Sequence, residues 1–201
     1  KLIPEWIKNI QNDSRIDCGL RECGILVPFK NLKDLKNFPT QQYGQYLNKS
    51  ELNQEISGLS SVWNHGLLFE KDGQIDNRRR LMRALEIACT ANGVKFREGS
   101  EIKELITNNQ TFIGVKILCA TGELRSIFCK KAILCSGAWS KTILNQLPIT
   151  PVKGQMLSIQ GPINKIRRII FGPKTYLVPR EDGLVIVGAT VEKNANFNQG
   201  N

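Results

Sequence analysis

Two segments decide the fold: PVKGQMLSIQGP (residues 151–162) and IIFGPKTYLVPREDGLVIVGATVE (residues 169–192). Short runs rich in Val, Ile and Leu alternate there with turn residues such as Gly-Pro and Glu-Asp-Gly, a pattern typical of antiparallel strand-turn-strand units. Tyr176 stands alone among apolar residues on one of these runs, and basic residues lie near it. The pattern predicts a β-sheet that presents one tyrosine on an apolar surface.

The bulk composition is that of an ordinary globular protein. The 201 residues are 41% apolar and 23% charged, and no apolar run reaches the roughly 18 residues needed to cross a bilayer. A chain of this length buries enough surface for one core or two smaller ones. The sequence begins with Lys1, and its first residues lack the pattern of a secretion signal. We expect a cytoplasmic protein without a membrane partner, whose chain begins inside a longer gene product; the composition leaves the oligomeric state open.

The six cysteines are scattered without a Cys-x-x-Cys pair, and His65 is the only histidine. Zinc sites need clustered Cys and His ligands, so no metal site is expected. Reduced thiols in the core are the interpretation that fits a cytoplasmic protein.

The net charge of +10 is unevenly distributed. Residues 1–75 have 9 basic and 9 acidic groups, residues 76–150 have 12 and 6, and residues 151–201 have 7 and 3. Such a field attracts an anionic substrate, cofactor or partner. Aromatic residues are not interleaved with the basic clusters at 78–80 and 165–168, which argues against a nucleic-acid partner.

Local patterns predict a mixture of helices and strands. Apolar residues on one face predict a helix from Arg78 to Ala91, with Asp76 or Asn77 as its N-cap and Gly93 after its end. Shorter helices are expected near residues 6–10, 31–38 and 50–54, and strands at 23–29 and from residue 65. Four β-rich runs between residues 94 and 129 predict a three- or four-stranded antiparallel sheet.

Common catalytic motifs are missing from the sequence. None of the 17 glycines is separated from another by one residue, so Gly-x-Gly-x-x-Gly is absent. A phosphate-binding P-loop and a Gly-x-Ser-x-Gly elbow are absent too, and one histidine leaves a serine triad without an obvious base. These absences argue against a stand-alone kinase, NTPase or hydrolase.

The segment KAILCSGAWSKTILNQL (residues 131–147) predicts a strand, a tight turn at Gly137 and a helix. A glycine at such a turn lets the backbone approach a bound group closely, and the following helix offers free N–H donors. The alternative is a structural turn with Trp139 in the core.

Taken in order, the capped helix, VKFREGSEIKELI, the hairpin, KAILCSGAWS, PVKGQML and TYLVPREDGLVIVGAT resemble the FAD-dependent oxidoreductases of the glycine oxidase and D-amino-acid oxidase family. The resemblance implies an α+β fold of two interleaved domains. Residues 1–75 and 149–201 would form the antiparallel sheet and helices of the substrate domain, and residues 76–148 part of the FAD-binding domain. The family's glycine-rich segment and its carboxyl-terminal arginine segment have no counterpart here, so we expect an internal fragment that is inactive alone.

The resemblance also assigns substrate-binding residues. Tyr176 matches the family tyrosine that reaches toward the substrate carboxylate, and a phenol donates such a hydrogen bond while neutral. Lys174 is two residues earlier and is therefore predicted to lie on the same strand face, at the pocket mouth. Arg180 borders the turn at residues 181–183 and is interpreted as a solvated charge.

FAD is the cofactor that the resemblance implies. Ile102 matches the segment whose backbone approaches the adenine, and Ser136, Gly137 and Trp139 would lie against the cofactor domain. No side chain is assigned as catalytic, because the flavin itself carries this kind of chemistry.

The function implied is oxidation of a small amine or amino acid, with hydride transfer to flavin and reoxidation by O2, as in a glycine oxidase serving thiamine biosynthesis. Two alternatives stay open: an FAD-dependent oxidoreductase that acts on a modified tRNA base, and a non-catalytic binding module.

Overall fold

The computed structural model describes residues 2–163 and 165–193. Its α-helices are α1 (Leu2–Ser14), α2 (Leu32–Lys36), α3 (Lys49–Glu55), α4 (Met82–Ala91) and α5 (Ser140–Ile143). Its strands are β1 (Ile25–Phe29), β2 (Gln45–Leu47), β3 (His65–Phe69), β4 (Glu101–Asn108), β5 (Thr111–Leu118), β6 (Leu124–Phe128), β7 (Val152–Lys153), β8 (Met156–Gln160), β9 (Ile169–Phe171), β10 (Tyr176–Pro179), β11 (Leu184–Gly188) and β12 (Glu192–Lys193). Helical turns of other types cover Gln41–Tyr43, Asn77–Leu81 and Gly137–Trp139.

The described chain divides into two compact units, and the α+β prediction is confirmed. Of the described residues, the first unit contains 2–94 and those within 154–190, and the second contains Lys95–Lys153 and residues 191–193. The predicted boundaries were at 75/76 and 148/149. The assignment of residues 1–75, 76–148 and 149–201 to substrate and FAD domains stays a prediction.

A seven-stranded sheet forms the first unit, in the order β2-β3-β1-β9-β10-β11-β8. Its neighbours are antiparallel except β1 and β9, which run parallel. The predicted antiparallel sheet is therefore a mixed one. The parallel pair arises because the chain leaves the sheet after β3 and re-enters beside β1 much later in the sequence.

Helices cover both faces of the sheet around β1 and β3. On one face, α3 inserts Leu52 against Leu26 and Leu68, and on the other α2 inserts Leu35 against Val27 and Leu67. Because both faces are buried, the strands read as continuous apolar runs instead of alternating ones. Arg168, from the basic cluster at 165–168, donates to Glu55 at 2.5 Å, which ties the approach to β9 to the end of α3.

A separate core joins α1 and α4 within the same unit. Ile7 and Ile10 of α1 pack with Ala84 and Ala88 of α4, and Cys18 is fully buried beside them. Burial, and to a smaller degree the charge of Asp17, raises the pKa of the Cys18 thiol. All six cysteines are free thiols.

The second unit contains the antiparallel sheet β4-β5-β6, as the sequence predicts, and the short pair β7 and β12. The predicted strand at 131–137 is wrong: residues 131–136 form no strand, and Ile133 is 89% exposed. An apolar run becomes a strand only beside a hydrogen-bonding neighbour, and none of the strands in the described residues pairs with this run. The helix predicted after it is reduced to a 3-10 turn and the four residues of α5.

Candidate substrate cleft

A cleft of about 450 Å³ lies in the first unit, over one face of β8, β10 and β11. Alternate residues of neighbouring antiparallel strands share a face. The cleft is lined on the strand side by the same-face residues Met156, Ser158, Tyr176, Val178, Arg180, Leu184 and Ile186, and also by Leu157, which alternates with them. The other wall of the cleft consists of Ile75 to Arg79. A volume in this range suits a small organic ligand.

Tyr176 begins β10 and is half-buried in this cleft. Its hydroxyl donates a hydrogen bond to the sulfur of Met156 over 3.1 Å. The tyrosine that the sequence singled out therefore faces a cavity. Its role in substrate binding stays a prediction.

Asp76 organises the second wall of the cleft. Its carboxylate is buried, accepts from the backbone N–H of Arg79, and thereby caps the helical turn that leads into α4, as the sequence predicts. Asp76 Oδ2 also accepts from Nε of Arg79 at 2.8 Å. The other end of the Arg79 guanidinium donates to Asp182, in the turn between β10 and β11, at 2.8 Å. The helix start is thus fastened to the hairpin that carries Tyr176.

Arg180 also belongs to the cleft, so its interpretation as a solvated turn charge is wrong. Its Nη1 donates to Oε1 of Gln74 at 2.8 Å and to the carbonyl oxygen of Ile75 at 3.0 Å. Gln74 is itself buried and donates to the carbonyl oxygen of Pro179. Tyr176, Val178 and Arg180 are two residues apart in sequence, and this spacing was the available signal for a shared face.

Two arginines in the cleft keep an uncompensated positive charge. Among the described residues, no carboxylate forms an ion pair with Arg78 or Arg180, whereas Arg79 is paired with Asp76 and Asp182. Unpaired cations in a partly enclosed cleft attract an anion more strongly than the same charges on open surface. The arrangement is suited to a small ligand with a negative group.

The bond from Arg79 lowers the pKa of Asp182 below its ordinary value. A carboxyl with a lowered folded-state pKa stabilises the fold above its unfolded pKa of about 3.9, and this contribution disappears as the pH falls through the folded pKa. We expect the wild type to be more stable than Asp182→Asn at pH 6, by a small margin because the pair is half exposed. Thermal unfolding between pH 6 and 2.5 should show the two melting temperatures converging in acid. An equal gap at both ends of this range would contradict the assignment.

Lys174 lies outside the strand to which the sequence assigned it. It occupies the turn between β9 and β10, which is closed by a bond from the N–H of Gly172 to the carbonyl of Thr175, and it is exposed. The placement on the face of Tyr176 is wrong because the chain reverses before β10 begins. The structure does not place Lys174 in the wall of the cleft, and its role at the pocket mouth stays a prediction.

The residues predicted to bind FAD all belong to the second unit. Ile102 is on β4, which contacts α5, and Ser136, Gly137 and Trp139 lead directly into α5. Gly137 has φ of +54°, and no atom lies within 4 Å of where a Cβ would be, so its backbone is open to close approach. Trp139 is 63% exposed, which rules out its placement in a core within this unit. An open glycine beside exposed apolar side chains fits a planar ligand, and the cofactor assignment of these four residues stays a prediction.

The described residues contain no group of three or more His, Cys, Asp or Glu side chains arranged to hold a metal ion. None of the helices in the described ranges is long and apolar enough to cross a membrane.

Comparison with known families identifies the class of protein. The whole sequence, residues 1–201, matches the family described as DAO, FAD dependent oxidoreductase. The chain therefore belongs to this family of FAD-dependent enzymes, which confirms the resemblance, the enzyme class and the predicted cofactor.

Individual relatives show which members of the family this chain is similar to. The bifunctional protein ThiO/ThiG of Synechocystis sp. is 32% identical over 94% of this chain, which spans 28% of that protein. The glycine oxidase of Pseudomonas aeruginosa is 28% identical over 68% of this chain, which spans 37% of it. This chain therefore spans about a third of the length of these relatives.

Solved structures share the fold. Glycine oxidase from Bacillus cereus ATCC 14579 superposes with a TM-score of 0.83 at 20% identity, covering 96% of this chain and 55% of that one. Iminodiacetate oxidase from Chelativorans sp. BNC1 gives a TM-score of 0.74 at 20% identity, covering 98% of this chain and 56% of that one. The chain thus has the fold of these two solved structures, of which it spans about half.

Proposed function

We propose that this chain contributes the substrate cleft of an FAD-dependent oxidase that acts on a small amino acid or amine, with glycine as the first choice. The observation that carries the proposal is the hydroxyl of Tyr176 in a cleft of about 450 Å³ that is also lined by Arg78 and Arg180, for which the described residues provide no carboxylate partner. The relatives named glycine oxidase and iminodiacetate oxidase support a small amine with a carboxylate.

The chemistry that FAD supplies in such a reaction is two-electron oxidation, in which a hydride leaves the amine-bearing carbon, water hydrolyses the imine, and O2 takes up the electrons as H2O2. The protein groups bind and orient the substrate. Tyr176 donates to a carboxylate oxygen, and Arg78 and Arg180 supply the field that favours its charge. Val178 and Ile186 form an apolar floor that restricts water around these polar groups.

Ile102, Ser136, Gly137 and Trp139 are the residues that we propose hold the cofactor. The open backbone at Gly137 allows close approach, and the exposed rings and aliphatic groups of Trp139 and Ile102 provide apolar contact. Ser136 donates its hydroxyl to Ser140 at 3.1 Å, which fixes the turn that presents Gly137.

The test is peroxide production by the complete, FAD-loaded enzyme to which this chain contributes the cleft. We expect H2O2 and ammonia in equal amounts from glycine, with sarcosine and D-alanine as comparison substrates. A protein that binds FAD but forms no peroxide from any of the three would contradict the proposal. Retention on tRNA that falls steeply with salt would favour the tRNA-modifying alternative. A role in thiamine biosynthesis and a cytoplasmic location are part of the same proposal.

Arg180 allows a second test of the anion-binding arrangement. Arg180→Gln removes the positive charge but keeps a polar group that can bond to Gln74 and Ile75. We expect KM for glycine to rise about 3- to 10-fold with little change in kcat, because the lost interaction acts on bound substrate and transition state alike. Steady-state kinetics at two salt concentrations measure this, and Lys36→Gln, an exposed position on α2 outside the cleft wall, is the matched charge control. Equal effects of the two changes would argue against a specific role for Arg180.

A further inference from the structure

Three residues on adjacent strands form a row on the face of the sheet that carries the cleft. Tyr176 of β10 pairs with Gly188 of β11, and Gly188 pairs with Met156 of β8. Residues paired across antiparallel strands point to the same face, and neighbouring strands are about 4.8 Å apart. The backbones of Tyr176 and Met156 are therefore roughly 10 Å apart, with Gly188 between them.

Gly188 leaves the space in which the tyrosine ring lies. A Cβ added at Gly188 would fall well inside 3.0 Å of Cζ, Cε2 and the hydroxyl oxygen of Tyr176, so it would overlap the ring. Only the absence of a side chain at this position lets the ring lie directly over Gly188 of β11. The direction of the Tyr176 hydroxyl is consequently set by residue 188.

Met156 receives the hydroxyl on the far side of the row. A thioether sulfur is a weak hydrogen-bond acceptor, whereas a carboxylate oxygen is a strong one. The bond of 3.1 Å to Met156 therefore orients the phenol without competing strongly with an incoming carboxylate. A strong acceptor at residue 156 would keep the hydrogen bond of the Tyr176 hydroxyl, which would then not be available to the ligand.

We infer that Gly188 and Met156 are positioning residues that aim the Tyr176 hydroxyl at the substrate carboxylate. This inference rests on the proposed function, because it assumes that Tyr176 contacts that carboxylate. It goes further by assigning part of the preference for a carboxylate, beside the field of Arg78 and Arg180, to a glycine and a methionine that themselves need not touch the substrate.

The test is a double-mutant cycle on the FAD-loaded protein, with acetate and its neutral isostere acetamide as probes in calorimetric titrations. We expect Gly188→Ala and Tyr176→Phe each to weaken acetate binding by about tenfold, which is the worth of one hydrogen bond to a charged group. The double variant should bind acetate no more weakly than Tyr176→Phe alone, because the two changes remove the same interaction. Acetamide binding should change little in each case.

A matched control comes from Gly161, which follows β8 in the same sheet. A Cβ there would meet nothing closer than the carbonyl oxygen of Gly183 at 3.8 Å, so Gly161→Ala should bind acetate within about twofold of the wild type. In tyrosine-labelled protein, Gly188→Ala should shift the Cζ resonance of Tyr176 and leave those of Tyr43 and Tyr46 in place.

The outcomes separate the inference from the proposed function. If Tyr176→Phe weakens acetate binding while Gly188→Ala does not, or if their effects multiply, the positioning role is wrong and the proposed function stands. If Tyr176→Phe has no effect on acetate, the proposed contact fails and the inference with it. Met156→Gln should weaken acetate binding about 3- to 10-fold and Met156→Leu less than threefold; equal binding by both would overturn the part played by Met156.

Discussion

Replacing Tyr176 by phenylalanine in the complete enzyme should raise KM for the amino-acid substrate about 10- to 100-fold and leave kcat within a few-fold of the wild type. The change removes one hydrogen bond to a charged group, worth roughly 1.5–3 kcal/mol, and a ring of the same shape remains. The bond is made to the bound substrate and persists in the transition state, so the loss falls on binding.

Tyr46→Phe is the control for this experiment. Tyr46 lies on β2 of the same sheet, and its hydroxyl lies 2.9 Å from Nδ1 of His65, away from the cleft. Both variants lose one phenol oxygen, but only Tyr176→Phe should change KM. Unchanged steady-state kinetics in Tyr176→Phe would remove this tyrosine from the site.

The second large effect is expected from Gly73→Ala, which should destabilise the fold by about 2–4 kcal/mol. A Cβ at residue 73 would overlap the backbone carbonyl of Arg21. The backbones of Arg21 and Gln74 exchange two hydrogen bonds, of 2.8 and 2.9 Å, at this point. Because neither backbone can move without breaking these bonds, the strain cannot be relieved by a side chain alone.

The strain introduced by Gly73→Ala should also disturb the cleft. Gln74 accepts from Arg180 and donates to the carbonyl oxygen of Pro179, at the end of β10. We expect the melting temperature of Gly73→Ala to fall by on the order of 5–12 °C, with faster amide exchange at Gln74. Gly161→Ala, where a Cβ fits, should melt close to the wild type. If Gly73→Ala melted within about 2 °C of the wild type, the close backbone contact between Arg21 and Gly73 would tolerate a methyl group.

The most local predictions from the sequence are confirmed. The helix after Asp76 forms with the predicted cap, and Gly93 adopts φ of +83° after its end. The runs of residues 101–128 form the antiparallel sheet. These features follow from side-chain periodicity and from caps within a few residues, which the sequence displays directly.

Two of the errors share one physical cause. The apolar run at 131–136 looked like a strand, but a strand requires a partner, and the sequence does not name one. Lys174 was counted along an uninterrupted strand, whereas the turn closed by Gly172 and Thr175 restarts the chain just before Tyr176. In both cases the decisive contact lies outside the local pattern.

The sequence by itself determined the strand-turn-strand units, the prominence of Tyr176 and the family to which the chain belongs, because composition, alternation and motif order are written along the chain. Only the tertiary structure decided which residues share the cleft with that tyrosine. Gln74 meets Arg180, and Arg79 meets Asp182, across more than 100 residues of sequence. Such meetings depend on strand order and register, which are set by the packing of the whole sheet and by no single segment.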